Sequence, residues 1–318
     1  MPARGRTSAA YSVGQGVLGF GIVSVGVVAT VATIVGFFGS AWWLFDYVAN
    51  FRAHLALALL VVAVAYALLF SKTMSLIFLA FAVVNALVIL PLYTDSPAEA
   101  VDTDEGMTIV SFNVAQRASL RDATFLWLDT VDADLVLLTE ATDDWVAAEG
   151  YSDKYSSHVE MPPDRTFGIT VYSDHSVTAE LVRASSARDY AVRIETEIGN
   201  RPIVVYGVQS RPASDATSAA LRDEYLTDIA RMAKGETLPT VVVGDLEASP
   251  WSHVFRYLES EADLTNSLRG YGIQATWPAD RWAFVRIPMD HLLHSSELTP
   301  VDRYLGPSLG VDHRPIVV

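Results

Sequence analysis

Three long apolar runs stand ahead of Asp95, and they constrain this 318-residue chain more than any other feature. A bilayer's hydrocarbon core takes roughly 20 apolar residues of helix to cross. Val17–Phe38 is the first such run, His54–Phe70 the second and Met74–Tyr93 the third. A cleaved leader has a shorter apolar stretch and a small-residue cleavage site. The runs therefore read as transmembrane helices, in preference to a leader or to buried helices of a water-soluble core. Only Ser71-Lys72-Thr73 separates the second run from the third, which predicts a tight hairpin. Trp42, Trp43 and Tyr47 follow the first run, where interfacial aromatics belong.

Arg4, Arg6 and Lys72 fall on one side of such an arrangement, and Arg52, in its loop, with the acidic stretch Asp95–Glu105 on the other. The excess of Lys and Arg on the cytoplasmic side then predicts a multi-pass protein of the cell membrane, N-terminus cytoplasmic and C-terminal domain extracytoplasmic. No ionisable residue lies deep in the runs. Asn85, their one strongly polar side chain, is expected to hydrogen-bond between helices. Residues 1–94 thus read as an anchor in the lipid bilayer, 95–106 as an acidic linker and 107–318 as a separate domain.

That domain is acidic. Of the chain's 22 basic and 37 acidic residues, 18 and 36 lie from Asp95 onward, a net charge of −18. Nucleic-acid affinity draws on Lys and Arg releasing counterions from phosphates, so nucleic acid is a disfavoured partner unless a local basic cleft exists. The absence of cysteine excludes disulfides, thiolate nucleophiles and Cys-ligated zinc.

From Met107 on, strand-like and helix-like segments alternate. Strands are expected at Met107–Phe112, Leu135–Thr139, Ile169–Tyr172, Ala191–Glu195, Ile203–Val208, Thr240–Gly244, His291–His294 and Pro315–Val318. Helices are expected at Leu120–Val131, at Ala216–Ala233 with its arginines on a polar face, and from Trp251. This is an α/β pattern with mixed sheets. Polar residues gather where strands end or begin: Asn113, Glu140, Asp245, Asp290 with His291, and Asp312 with His313. Singly, each is ordinary turn or surface chemistry.

Their order is more telling. Ser-Phe-Asn-Val (111–114), Asp-Ala-Asp-Leu-Val-Leu-Leu-Thr-Glu (132–140), Gly-Asp-Leu-Glu-Ala-Ser-Pro-Trp-Ser (244–252), Asp290-His291 and Asp312-His313-Arg314-Pro315 form a series with characteristic spacing. The series resembles the endonuclease/exonuclease/phosphatase superfamily, which includes DNase I, apurinic endonucleases, neutral sphingomyelinases and inositol-polyphosphate phosphatases. Thr276-Trp277-Pro278 is similar to the bacterial membrane-anchored members. The resemblance implies a DNase I-like four-layer α/β sandwich, here preceded by three transmembrane helices.

It also implies a metal-dependent phosphoester hydrolase. Glu140 would be the principal ligand of a divalent cation, with Asn113 and Asp312 beside it. Mg²⁺ is expected, with Mn²⁺ or Ca²⁺ as alternatives. His313 would contact the scissile phosphate, Asp290 would orient its imidazole, and Asp245 would position or deprotonate the attacking water. Arg117, Arg165 and Arg211 lie near the motifs as candidate phosphate contacts, against ordinary ion pairing.

Two positions depart from the family's pattern. Glu247 stands where Asn is usual, and Gln209 where His or Tyr is usual. An ionised Glu accepts hydrogen bonds but cannot donate one, and Gln cannot shuttle a proton. Glu247 could instead recruit a second metal. The leading expectation is a phosphodiesterase or phosphatase acting on a lipid-linked or small phosphoester. The alternatives are a catalytically impaired member that binds a partner or an envelope lipid through the same cleft, and a nuclease.

Overall fold

The computed structural model describes residues 4–95, 106–142, 145, 155, 157–160, 168–184 and 189–318. Most of the expected linker and Arg165 lie outside the described residues. The chain divides into two compact units, Met1–Leu90 and Pro91–Val318.

The first unit is helical: α1 (Arg4–Val35), α2 (Trp43–Ala49), α3 (Arg52–Leu69) and α4 (Lys72–Ile89). Val17–Val35, Arg52–Leu69 and Lys72–Ile89 are long and apolar enough to cross a membrane. Small residues bring the helices together. A Cβ on Gly26 would lie 2.5 Å from the Phe78 ring. Asn85 bonds between helices as expected, its Nδ2 donating to Thr33 Oγ1 at 2.8 Å.

Arg52 departs from expectation. It opens α3 instead of lying in a loop, and it is buried. Its Nη1 donates to the Thr33 carbonyl at 2.9 Å and to Asn85 Oδ1 at 3.2 Å, and its guanidinium sits 3.9 Å from the centroid of the Phe37 ring. Gly36 leaves the space for it. A long side chain at the end of an apolar run can reach back into the bundle, which residue spacing does not reveal. Arg52 is therefore a tie between helices and not a free loop charge for setting orientation.

The second unit begins with α5 (Pro91–Thr94), followed by β1 (Ile109–Asn113), α6 (Arg121–Val131), β2 (Leu135–Thr139), β3 (Ser157–Glu160), β4 (Ile169–Ser173), β5 (Thr178–Arg183), β6 (Tyr190–Ile198) and β7 (Arg201–Gln209). Then come α7 (Ala216–Gly235), β8 (Thr240–Asp245), α8 (His253–Ala262), β9 (Thr265–Asn266), β10 (Asp290–His294), β11 (Tyr304–Leu305) and β12 (Ile316–Val317). The strands form two six-stranded sheets, ordered β11-β12-β1-β2-β4-β3 and β5-β6-β7-β8-β10-β9. Both are mixed: β1 runs parallel to β2 and β7 to β8, amid antiparallel neighbours.

Alternation along each strand sorts the side chains into layers. Leu135 and Leu137 of β2 point between the sheets and meet Val205, Val241, Val243 and Leu292. Val136 and Leu138 point the other way, with Phe125 and Leu128 of α6. In the second sheet Val204, Tyr206 and Val242 face Leu226, Ile229, Phe255 and Leu258 of α7 and α8. The result is helix, sheet, sheet, helix. Because both faces of the central strands are covered, they read as unbroken apolar runs.

Candidate active site

The sheets place the polar motif residues at strand ends on one side. Gln209, Asp245 and Asp290 are cross-strand neighbours in a single row over β7, β8 and β10. Gly244 makes this row possible. Its φ is +145°, and a Cβ there would run into the Val208 carbonyl oxygen, so only glycine lets the two strands approach as Asp245 arrives. In the other sheet Asn113 pairs with Thr139, one residue before Glu140. Glu140 (φ 54°) and Glu247 (φ 49°) both take left-handed backbone, a strain that clusters at functional sites.

Asn113 bridges the two sheets. Its Nδ2 donates to Glu140 Oε1 at 3.0 Å and to Asp245 Oδ2 at 2.9 Å, and its Oδ1 accepts the Ala115 N–H at 2.9 Å. Two carboxylate acceptors on one side fix which amide atom is the nitrogen. The buried Asp245 also accepts from Gln209 Nε2 at 3.3 Å and from the Glu247 N–H at 3.0 Å. His313 is buried between two acids. Its Nδ1 donates to Asp290 Oδ2 at 2.9 Å, and its Nε2 lies 3.8 Å from Asp245 Oδ2.

These groups perturb one another. Burial works against the His313 imidazolium, but the Asp290 and Asp245 carboxylates outweigh it and raise the group to about 10. Burial, then repulsion from Asp290, pushes Asp245 up to about 7. Crowding by protein atoms, then the Asp245 carboxylate, holds Glu247 well above the ordinary carboxylate range, although part of its surface reaches solvent. A carboxyl held neutral is an O–H donor. Glu247 in that form can do what an Asn would do there.

Asp245, Asp290 and His313 lie close enough together to hold an ion. As a ligand set they are poor, because an imidazolium at neutral pH offers no lone pair. They make an acid–base array instead. The better donors for a hard divalent cation are oxygens at the more open end of the site: Glu140, which is partly exposed, and the remaining lone pair of Asn113 Oδ1. Asp312 directly precedes His313 in the chain. Its carboxylate accepts from Trp277 Nε1 at 3.3 Å and its carbonyl from the Ala279 N–H at 2.6 Å.

The arginines behave differently from one another. Arg211 is held by Asp189 through Nε and Nη2 at 2.6–3.0 Å. Arg117 is exposed, with Nη1 3.3 Å from the Gly310 carbonyl. Arg222 is not on a polar face as α7's pattern implied. It is buried and donates to the Glu247 carbonyl at 3.2 Å, bracing the loop that carries this residue.

Further residues support the site from behind. Thr276 Oγ1 accepts the N–H groups of Met289 and Asp290 at 3.1 and 3.2 Å. Tyr225 OH accepts the Gln209 N–H at 3.3 Å. His291, beside Asp290, is structural: it is buried, its ring centroid is 4.7 Å from that of Phe255, and its Nε2 donates to the Ala248 and Pro288 carbonyls.

The model of the endonuclease/exonuclease/phosphatase family matches residues 110–314, nearly two-thirds of the chain and all of the site. The chain belongs to the endonuclease/exonuclease/phosphatase family. Enzymes of this family are generally phosphoester hydrolases that depend on divalent metal. No curated protein matches the chain in sequence.

Solved structures share the DNase I-like fold. An AP endonuclease from Archaeoglobus fulgidus superposes with TM-score 0.54 at 16% identity, over 67% of this chain and 98% of its own. Truncated Caenorhabditis elegans TDP2 gives 0.53 at 15%, over 66% and 96%. Sphingomyelinase C from Streptomyces griseocarneus gives 0.52 at 13%, over 66% and 98%.

Proposed function

We propose that this endonuclease/exonuclease/phosphatase family member is a membrane-anchored, divalent-metal-dependent phosphoester hydrolase, acting outside the cytoplasm on a lipid-linked or small phosphoester. One observation carries the reading: a buried imidazolium, His313, is clamped between Asp290 and Asp245 next to the Asn113–Glu140 pair.

Glu140, with Asn113 and Asp312 as further oxygen donors, would hold Mg²⁺, which offsets phosphate charge and makes bound water more acidic. Asp290 keeps the proton on His313 Nδ1, so that Nε2–H is aimed as a donor to a phosphoryl oxygen or leaving group. Asp245, lifted to about 7, is close to the strength wanted of a base at neutral pH. Gln209 and Asn113 fix its carboxylate with donated N–H groups. Gln209 acts in this scheme by orientation and moves no proton. The apolar helices and the net charge of −18 favour a substrate at a membrane over DNA.

The test uses the full chain in nanodiscs with Mg²⁺, Mn²⁺ or Ca²⁺. It is offered bis-p-nitrophenyl phosphate, p-nitrophenyl phosphate, phospholipid vesicles and single-stranded DNA, with Glu140→Ala as control. Metal-dependent turnover lost in Glu140→Ala supports the reading. If the native chain is inert on the whole panel while Glu247→Asn with Gln209→His gains activity, the cleft serves binding and hydrolysis is the wrong assignment. Preference for DNA would assign a nuclease.

A further inference from the structure

Beside the site, residues 277–287 leave the body as a closed excursion. Trp277 and Ile287 pair across its base, with N–H···O distances of 2.6 and 3.0 Å. Arg286 braces it from inside, donating to the Ala279 and Arg281 carbonyls at 2.8–3.1 Å. A 3₁₀ turn, Ala283–Val285, forms the tip.

The tip exposes what a protein in water ordinarily covers. Trp282 is 77% exposed, Phe284 67% and Val285 37%, and the two rings lie 6.0 Å apart. No other four-residue stretch of the described residues after Pro91 exposes three large apolar side chains. The charge is also out of character. Asp280–Arg286 carries two arginines and one acid in a domain of net charge −18. Arg281 is largely exposed. Exposed aromatics next to arginine make up the composition of a bilayer interface.

Chain continuity adds a second argument. Pro91–Asp95 follow directly on α4 and pack within the second unit. The Gly272 N–H donates to the Leu92 carbonyl at 2.7 Å, the Ile273 N–H to Tyr93 OH at 3.3 Å, and Arg269 meets Asp95 at 3.4 Å. If α4 spans, its exit holds these residues, and the 269–273 loop with them, at the bilayer surface. Trp277 is four residues further on. Its indole Nε1 donates to Asp312, so the excursion is joined to the rim of the site.

We propose that residues 280–286 form a second, non-spanning membrane contact. Trp282, Phe284 and Val285 enter the interfacial layer, Arg281 meets anionic lipid phosphates, and the cleft is thereby presented to headgroup-borne phosphoesters. This rests on the membrane-anchored reading above.

The chain has no cysteine, so single-cysteine labelling is clean. Phe284→Cys carries an environment-sensitive dye in the full chain, reconstituted with phosphatidylcholine alone or with phosphatidylglycerol added. Leu79→Cys reports on α4, and Leu181→Cys on the surface of the second unit. Lipid-borne doxyl groups should quench the dye at 284 and at 79 more than at 181, and phosphatidylglycerol should strengthen quenching at 284.

Trp282→Ser with Phe284→Ser should slow hydrolysis of a vesicle-borne phosphoester about tenfold or more, with soluble ester hydrolysis unchanged. Quenching at 79 but not at 284 overturns the loop contact and spares the anchor. Quenching at neither overturns both. Shielding of 284 by single-stranded DNA in place of lipid assigns the aromatics to base stacking and overturns the proposal, as does an equal loss of rate on soluble and vesicle-borne esters.

Discussion

Asp290→Asn is the most informative single change, because it removes one charge and keeps the shape. In the native site His313 rises from its ordinary 6.5 to about 10 against the pull of burial. That rise corresponds to several kcal/mol favouring the imidazolium, at roughly 1.4 kcal/mol per tenfold change in proton affinity. Asp290 supplies the larger carboxylate share through its 2.9 Å bond, and Asp245 acts from 3.8 Å. In Asp290→Asn the amide oxygen can still accept from Nδ1, but the charge is gone and burial is opposed by Asp245 alone.

The His313 imidazole should then titrate at lower pH. Hydrolysis of bis-p-nitrophenyl phosphate should fall by about 10²–10⁴-fold at neutral pH, the usual worth of a positioned general acid. The alkaline limb of kcat/KM should move to lower pH.

Stability gives an independent readout. The His313 pKa is raised in the folded state, so its contribution is fully present below about 6.5 and is lost as pH rises through about 10. Native protein should lose stability across that window, and the variant should lose less. Activity within threefold of native, with an unmoved alkaline limb and an unchanged imidazole titration by nitrogen NMR, would refute the role given to this pair.

Other tests reach other parts of the site. Glu247→Gln should retain most activity, because an amide also donates, whereas Glu247→Ala should lose about 100–1,000-fold, the cost of one preorganised donor; equal losses would mean that the carboxylate itself is needed. His291 is depressed to about 3 by burial, so the native state loses stability as pH falls from about 6.5 toward 3. Unfolding free energies from urea titrations of native and His291→Asn protein should converge by about 2–3 kcal/mol between pH 7 and pH 4.5, and parallel curves would sink the assignment. Calorimetry of Mg²⁺ binding at pH 7 in buffers of different ionisation enthalpy should show proton release, since burial first, and then neighbouring carboxylates, hold Asp245 and Glu247 above the ordinary carboxylate range, and a buffer-independent heat would contradict it.

What the sequence shows and hides follows the sheet order. The central strands β1, β2, β4, β7, β8 and β10 were all legible, because burial on both faces leaves an apolar run. The four unpredicted strands, β3, β5, β9 and β11, are the four sheet edges. Edge strands are short or polar and need no such run. β5, Thr178–Arg183, alternates between exposed and half-exposed positions. The motif residues were legible by order, and Asn113, Glu140, Asp245, Asp290 and His313 do converge. The buried arginines were not. Arg52 and Arg222 look like ordinary surface charges in sequence, because their burial depends on neighbours far along the chain.

Crowded acidity explains why Glu247 need not silence the site. Asp245, Asp290 and Glu140 all bear on Glu247 beside a single imidazolium. Crowded carboxylates beside only one positive charge disfavour their all being ionised, most of all where they are buried. The conflict is relieved in one of two ways: protons remain on Asp245 and Glu247, or a divalent cation arrives and displaces them. In the protonated form Glu247 donates as Asn would. With a metal bound it would be a further oxygen ligand. An Asn at 247 offers a donor and a neutral carbonyl oxygen, but no negative charge to a cation. The substitution would therefore couple donor capacity to metal occupancy, and Glu140 and Glu247 share the left-handed backbone whose strain clusters at functional sites.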